Sequence, residues 1–595
     1  MMKHLLFATC AATAAAASSV SPAEYFPADI NAPYVSWLAS RGETKFDHSA
    51  YLAGTIEGEG VAVHWTIDSD ASKIRLAVAA QATGWVGFGL AEAGGMKGSD
   101  IVLYEAATAT ITDAYAVEYV APKTDDSQDW TLLHSQVEDG FIIFEAERLL
   151  DTGDPMDRAI GFDGEFVIPP HRVIAAWGDT PTVSYHGDNR ARSALRFYPA
   201  HDKSGTEEDV FADEMAQEAE GYIDLIMPNH PISLDETEYV DLCFSHEDLI
   251  NLGMPADVPL HIIGFEPLID SAKHLHHLVM FGSGFDGDLT NGSCDQTAVA
   301  MSGGLALTWG YAPGGVPWEM PDEAGVPLGP GEDSYKMFYL NYHYDNRWQD
   351  TGITDSSGVR IYYTSRKRQY DAGILQLGDP IVQLAGEPIG QGLVRHDFNC
   401  PSSCTSFNFR EEVTVYKEVL HMHEKGEFMF NEIIRDGEVM RRASVDYFDF
   451  EQAGLHEVQQ GTFTIKPGDS IRTSCSFNTT SSKKGIEYGY GSQDEMCVSY
   501  MHYYPKQKIP LGVCGANWFF PACSATLTTE PISEVERVFG VVPSIPDIDG
   551  VDDTEIFDKE TSSASLPLHF SSLLAFACAS TTAALLLFSF GGPLP

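Results

Sequence analysis

A chain of 595 residues is too long for one hydrophobic core, so two to four domains are expected. Hydrophobic residues make up 44% and charged residues 21%, which excludes a wholly disordered chain. Acidic residues outnumber basic ones 86 to 36, a formal charge of −50; this excludes a nucleic-acid partner and favours the approach of cations.

The first residues pair a short polar start (Met1, Met2, Lys3, His4) with an apolar stretch at 5–17 and small residues at Ser18, Ser19, Ser21 and Ala23. Residues 1–23 read as a secretory signal peptide, cut between 19 and 23. From about 37 to 199, short runs rich in branched and aromatic residues alternate with Gly-rich breaks, as at 61–67, 74–80, 85–90, 101–104, 141–145 and 173–177. That pattern predicts an antiparallel β-sandwich, bounded here at 36–200. Residues 201–221 are strongly acidic and form a linker, with room for a short helix but no clear core face.

The β pattern returns from 222 to 527, with strands expected at 238–244, 260–266, 276–281, 336–344, 359–364, 413–423, 427–435 and 498–504. Some 300 residues exceed one sandwich, so two packed β domains are expected, at 222–375 and 376–528. Residues 529–566, rich in Asp, Glu, Ser and Pro, read as a disordered acidic stalk. An uncharged hydrophobic tail follows at 567–590. The small residues before it (Ser562, Ser563, Ala564, Ser565) suit a GPI-attachment signal, and its length equally suits a single membrane span.

Of ten cysteines, Cys10 lies in the signal segment and Cys578 in the tail. The other eight all follow residue 240: Cys243, Cys294, Cys400, Cys404, Cys475, Cys497, Cys514 and Cys523. An even number behind a signal peptide predicts disulfides, with half a zinc site at the C-x3-C of Cys400 and Cys404 as the alternative. Asn291 (N-G-S) and Asn478 (N-T-T) are candidate glycosylation acceptors.

The second half carries the metal-ligand chemistry. His421 and His423 form an H-x-H; on a strand, residues two apart share a face, so both imidazoles can reach one ion. A thioether such as that of Met496, in D-E-M-C, is a soft ligand that selects copper over zinc or iron. His274, His276 and His277 stand in H-L-H-H, and His343 stands apart in L-N-Y-H-Y. Adjacent residues on a regular strand face opposite ways, so His276 and His277 share an ion only where the backbone is irregular or at a strand end; His274 with His276 is the same-face alternative.

Three motifs, H-H-L-V-M-F at His276, H-M-H-E-K-G at His421 and S-Q-D-E-M-C-V-S-Y-M-H-Y-Y-P at Ser492, resemble the copper type II ascorbate-dependent monooxygenases, in particular the dopamine β-hydroxylase-like members. The resemblance spans about 300 residues and implies two β-sandwich (jelly-roll-like) copper domains, making the chain all-β. It implies two copper ions per chain, with His276, His277 and His343 on the first and His421, His423 and Met496 on the second. His274 falls outside the motif. It also implies ascorbate as reductant, O₂ as co-substrate and hydroxylation of a small organic molecule, with Tyr500 on the substrate side. The disulfides it implies are Cys243 with Cys294, Cys475 with Cys497, Cys400 with Cys514 and Cys404 with Cys523. One departure is that Gly282 and Ser283 follow Phe281, where the family often has a further Cys.

Peptide-amidating relatives hold a peptide carboxylate with an Arg two residues before the H-x-H and an Asn after D-E-M-C. Here those positions are Val419 and Val498, which disfavours peptide amidation and leaves a phenethylamine-like amine as the expected substrate. The first half resembles a DOMON domain, through G-W-V-G-F-G-L at Gly84, S-D-I-V at Ser99 and A-A-W-G-D near Trp177. Met96 and His186 fall where some DOMON domains hold haem, and Asp100 where a small metal site could form; a structural or interaction sandwich without haem is the expected role. The protein is expected in the secretory pathway, at the cell surface or in secretory vesicles, membrane-anchored, with a homodimer as a candidate assembly. The competing readings are a catalytically silent surface-binding protein and a haem electron-transfer protein.

Overall fold

The computed structural model describes residues 21–531, apart from 43–44, 57, 161–170, 198–204, 285–305, 312–314, 316, 380–385, 451–454, 458–460, 483, 490–492, 510–511 and 515–525. The signal segment up to residue 20, the stalk beyond 531, the tail at 567–590, Cys294, Cys523 and Asn291 lie outside the described residues.

The chain is all-β, built as three successive sandwiches; among the described residues its strands pair antiparallel apart from Ala324–Leu328 with Tyr370–Asp371 and a few isolated bridges. In the first, a five-stranded sheet runs His48–Ala53, Gly60–Asp68, Lys73–Gln81, Phe141–Leu149, Thr131–Glu138 in spatial order. It faces a seven-stranded sheet centred on His171–Gly178, Trp85–Leu90 and Ser99–Glu105. Val61, Val63 and Trp65 of the one meet Val86, Phe88 and Val173 of the other in a continuous core, the packing that two half-apolar sheets require.

Ahead of this sandwich lies a helix that the sequence reading assigned to no element, α1 (Ala32–Ser40). It starts with Pro at its first turn, where a missing N–H costs nothing. Its Tyr34 and Trp37 pack on the outer face of the five-stranded sheet against Ala62, Ala77 and Ala79, whose small side chains let the helix approach closely. Trp37 Nε1 donates to Glu145 at 3.0 Å, and Arg41 pairs with the same carboxylate at 2.6 Å.

The acidic linker contains a second helix, α2 (Glu207–Glu218), and it does have a core face. Phe211 and Met215, four residues apart, lie on one side and bury against Ile263. Two features of the strand beneath make room. A register shift between Ile262 and Gly264 places Ile263 as the extra residue, and a Cβ on Gly264 would come within 2.6 Å of the Met215 sulfur.

The middle sandwich pairs a six-stranded sheet with a four-stranded one. The smaller sheet runs β1 (Thr237–Phe244), β3 (Met337–Asp345), β2 (Leu275–Ser283), then Ala306–Tyr311 in space. Sheet membership switches after Tyr370–Asp371, so the next strand, Gly373–Gly378, straddles the expected boundary at 375 and belongs with the third sandwich. In that third sandwich, one sheet runs Gly373–Gly378, β5 (Val498–Tyr504), β4 (Val413–His421), Leu455–Glu457. The other runs Glu438–Val445, Gly426–Arg435, Ser470–Asn478, Leu393–Cys400, Thr526–Pro531. The last strand pairs Val394 with Pro531, so residues 529–531 of the expected stalk are ordered into a sheet. Among the described residues, no helix is long and apolar enough to cross a membrane.

Disulfides join Cys400 to Cys514 and Cys475 to Cys497, with Cα–Cα separations of 5.8 and 5.9 Å, ordinary for such bridges. Cys243 and Cys404 are also disulfide-bonded. Neither cysteine of the C-x3-C is therefore free as a thiolate, which removes the zinc alternative there.

Candidate metal centres

The three-histidine cluster depends on a defect in the strand. Along β2 and β3 the pairing runs Leu275 to Tyr344 and then His277 to His343, so His276 is an extra residue in a bulge. A bulge re-aims its side chain, and this resolves how neighbours His276 and His277 serve one place. Their ligand nitrogens and those of His343 all lie within 4.8 Å of one another. The rings of His276 and His277 are each centred 4.7 Å from that of His343. Tyr239, opposite His343 on β1, stacks on it at 4.4 Å and 12°.

Burial, and then the neighbouring imidazoles of His343 and His276, push His277 well below the usual histidine range. Burial and His276 push His343 down to about 3. Burial lowers His276 as well, against the opposing pull of Asp345. All three rings are thus held neutral, the form that binds a metal. Both ring nitrogens of His343 are buried without a hydrogen-bond partner among the described residues. Leaving such groups unsatisfied is costly, and a metal ion shared with His276 and His277 would satisfy one of the two, the nitrogen that carries the lone pair. His274 is different: its Nδ1 is 3.0 Å from Ser271 Oγ and its Nε2 3.0 Å from Asp350, so both nitrogens are already engaged.

The second group sits at the end of β4. His421 is the last strand residue and His423 follows beyond it, with ring centroids 5.0 Å apart. Both are buried, as is Met496, two residues before β5. His421 pairs with Val498 across the sheet, which brings Met496 to the same end. His423 Nδ1 lies 3.1 Å from the carbonyl of Asp494. A proton on Nδ1 makes that hydrogen bond and turns the lone pair to Nε2, the usual outer-shell arrangement for a metal-binding imidazole. Glu495 braces the turn from behind, accepting the N–H of His423 at 3.0 Å and that of Lys425 at 2.6 Å. Burial pushes its carboxyl up to about 8, so it is protonated at neutral pH. Two imidazoles and a thioether are a donor set suited to copper that cycles between oxidation states.

An apolar cluster joins the two sandwiches beside these groups. Met496, Val498, Tyr500 and Ile374 of the third sandwich pack with Val419 and with Val279 and Phe281 of β2. Phe450 bridges the sites directly, its ring 5.3 Å from that of His276 and 6.1 Å from that of His423. Sequence reasoning singled out neither Phe450, Tyr239 nor Glu495. Glu495 stood inside a quoted motif; Tyr239 and Phe450 reach the site only through tertiary contacts that no local pattern reveals.

Of the remaining candidates, Asn478 ends its strand with Nδ2 donating to Glu427 at 3.0 Å. In the first sandwich, His186 Nδ1 lies 2.8 Å from the carbonyl of Gly187, and Met96 sits in the turn before Ser99. Asp100, Asp113 and Asp157 cluster within 4.8 Å. Arg148, fully buried, supplies their cation, pairing with Asp100 at 2.8 Å and Asp157 at 3.4 Å.

The fold is thus three β-sandwiches, with one group of histidines on the second and another on the third. The chain belongs to the copper type II ascorbate-dependent monooxygenase family, matching its N-terminal domain at residues 223–351 and its C-terminal domain at 370–518, behind a DOMON domain at 57–167. It is 27% identical over 491 residues to DBH-like monooxygenase protein 1 of Gallus gallus, covering 79% of this chain and 74% of that protein. It is 26% identical over 480 residues to tyramine beta-hydroxylase of Caenorhabditis briggsae, covering 78% of each. Among solved structures, the cytochrome domain of Myriococcum thermophilum cellobiose dehydrogenase matches 28% of this chain and 88% of its own, at 14% identity and a TM-score of 0.21.

Proposed function

We propose that this protein hydroxylates a C–H bond of a small, largely apolar amine, with O₂ as oxidant and ascorbate as reductant. The observation that carries the reading is the pair of ligand sets: His276, His277 and His343 on the second sandwich, and His421, His423 and Met496 on the third, with an apolar cluster beside them. Copper held there supplies one-electron redox chemistry, by which two electrons and two protons let one oxygen atom enter the substrate and the other leave as water. The chain's own residues orient and exclude. Asp494 and Glu495 fix His423, Tyr239 backs His343, and Val279, Phe281 and Val498 keep water from the space between.

The apolar lining supports an aromatic or aliphatic substrate body, and the absence of a cation at Val419 and Val498 argues against a peptide carboxylate. The net charge of −50 favours a cationic substrate, such as a phenethylamine. The name of the tyramine beta-hydroxylase relative supports the same class. Tyr500, in the apolar cluster, is the proposed substrate-side residue. The disulfides support an oxidising, secretory compartment. The C-terminal anchor, the glycans at Asn291 and Asn478 and a homodimer are parts of the proposal that rest on the sequence alone.

The test is O₂ uptake by the purified protein with copper, ascorbate and a panel of phenethylamines. Uptake matched by hydroxylated product, and lost in His421→Ala, is the expected result. Copper bound at both sites with product from no amine in the panel would overturn the substrate class.

A further inference from the structure

Among the described residues, the first sandwich reaches toward the two histidine groups through the loop of five residues from Asp446 to Phe450 that follow the strand Glu438–Val445. Glu92, on the turn after strand Trp85–Leu90, accepts two successive backbone N–H groups of that loop, Asp446 at 3.1 Å and Tyr447 at 2.9 Å. Arg158 steadies Glu92 from the other side, 3.4 Å away, while its Nε donates to Gly98 O at 2.7 Å. Gly98 is needed there: its φ is +72°, and a Cβ would come within 2.9 Å of the Tyr447 side chain. Two residues on, the Tyr119 hydroxyl donates to Asp449. The loop then delivers Phe450 between His276 and His423. Within the loop, Phe448 is buried in the core of the third sandwich and its N–H donates to Glu427 O at 3.0 Å, while a cavity of about 320 Å³ bordered by Ser99, Tyr115, Arg172 and Asp446 lies on the side that faces the first sandwich.

We propose that the first sandwich positions the active centre through this loop: Glu92 clamps the loop, and the loop holds Phe450 as an apolar wedge that closes the space between the two histidine sites. Phe450 is a positioning residue, and the coupling gives the first sandwich a role in the reaction. The inference rests on the reading of the two histidine groups as copper sites.

The experiment uses the full chain, metal-free, with Glu92→Ala, Glu92→Gln, Phe450→Ala and Phe450→Leu. Hydrogen exchange reports the Asp446 and Tyr447 amides; mass-spectrometric rates of carbethoxylation report the exposure of His276 and His423. Removing a charged acceptor from two amides is expected to speed their exchange about tenfold or more in Glu92→Ala. Labelling of His276 and His423 rises together in Glu92→Ala and Phe450→Ala, Phe450→Leu restores it, and His186 labels at its original rate throughout. Glu92→Gln, which keeps one acceptor oxygen, gives a smaller change in the same direction and serves where the alanine variant does not fold. Unchanged amide exchange would overturn the clamp. Faster exchange with unchanged labelling of His276 and His423 would overturn the coupling. Neither readout needs metal, so failure of the copper reading appears separately, as a wild-type chain that binds no copper.

Discussion

The buried carboxylates of the first sandwich make an unusual prediction about pH. Asp113 is almost fully buried beside Asp100 and Asp157, with the cation of Arg148 among them. Burial first, then the charges of Asp100 and Asp157, push Asp113 up from 3.8 to about 7, against the N–H of Asp129 and the pull of Arg148. Burial pushes Asp157 up to about 6 as well. A carboxyl with a raised pKa in the fold favours the folded state only while it is protonated. At pH 5 the folded Asp113 keeps its proton and the unfolded chain has lost it; at pH 8 both are ionised and the fold bears an unpaired charge. Stability therefore falls as pH rises from about 4 through about 7. The distance from 3.8 to about 7 corresponds to about 4 kcal/mol at full weight, and screening by nearby water reduces this to about 2–3 kcal/mol. Asp113 and Asp157 titrate as a coupled pair, so their contributions do not add. The assay is urea pulse proteolysis in chelator at pH 5 and pH 8, read by mass spectrometry on peptides from strands Ser99–Glu105 and Thr110–Ala116. Because the unfolded carboxyl is already ionised at pH 5, only part of that loss falls between the two conditions: wild type is expected to be less stable at pH 8 by about 1–2 kcal/mol, and Asp113→Asn to lose most of that difference. A wild-type sandwich equally stable or more stable at pH 8, or an unchanged slope in Asp113→Asn, would refute the reasoning.

Three further outcomes are expected. Arg148→Met strands the buried carboxylates and should destabilise the first sandwich by about 3–5 kcal/mol in the same assay. Met496→Ile, close in volume, should cost under about 1.5 kcal/mol by thermal melting and yet abolish product formation, since only the sulfur is lost. The Cys475–Cys497 bridge closes a loop with a sequence separation of 22, so the double alanine variant should lose about 3 kcal/mol in urea and bind copper more weakly beside Met496.

The period-two patterns of the sequence reveal the strands because each half-buried sheet imposes them, as in β5, where Val498 and Tyr500 share the apolar face. What no period reveals is the irregularity. His276 and His277 come together only through a bulge, and a bulge breaks the periodicity on which the reading relies. Helix α1 and the core face of α2 are hidden for opposite reasons. α1 carries mainly apolar or small residues, so it has no contrasting polar face. In α2, the pair Phe211 and Met215 is the only core signal within a run of acidic residues. Phe450 is more than 170 residues from His276 in sequence, a contact set by topology alone.

The central claim is that two separate copper sites are formed by the residues named. The most direct measurement is copper per chain, by elemental analysis after dialysis, in wild type, His343→Ala, His421→Ala and the double variant. The account predicts two ions, one, one and none. Wild-type occupancy in both single variants would contradict it, because the ions would then be held elsewhere.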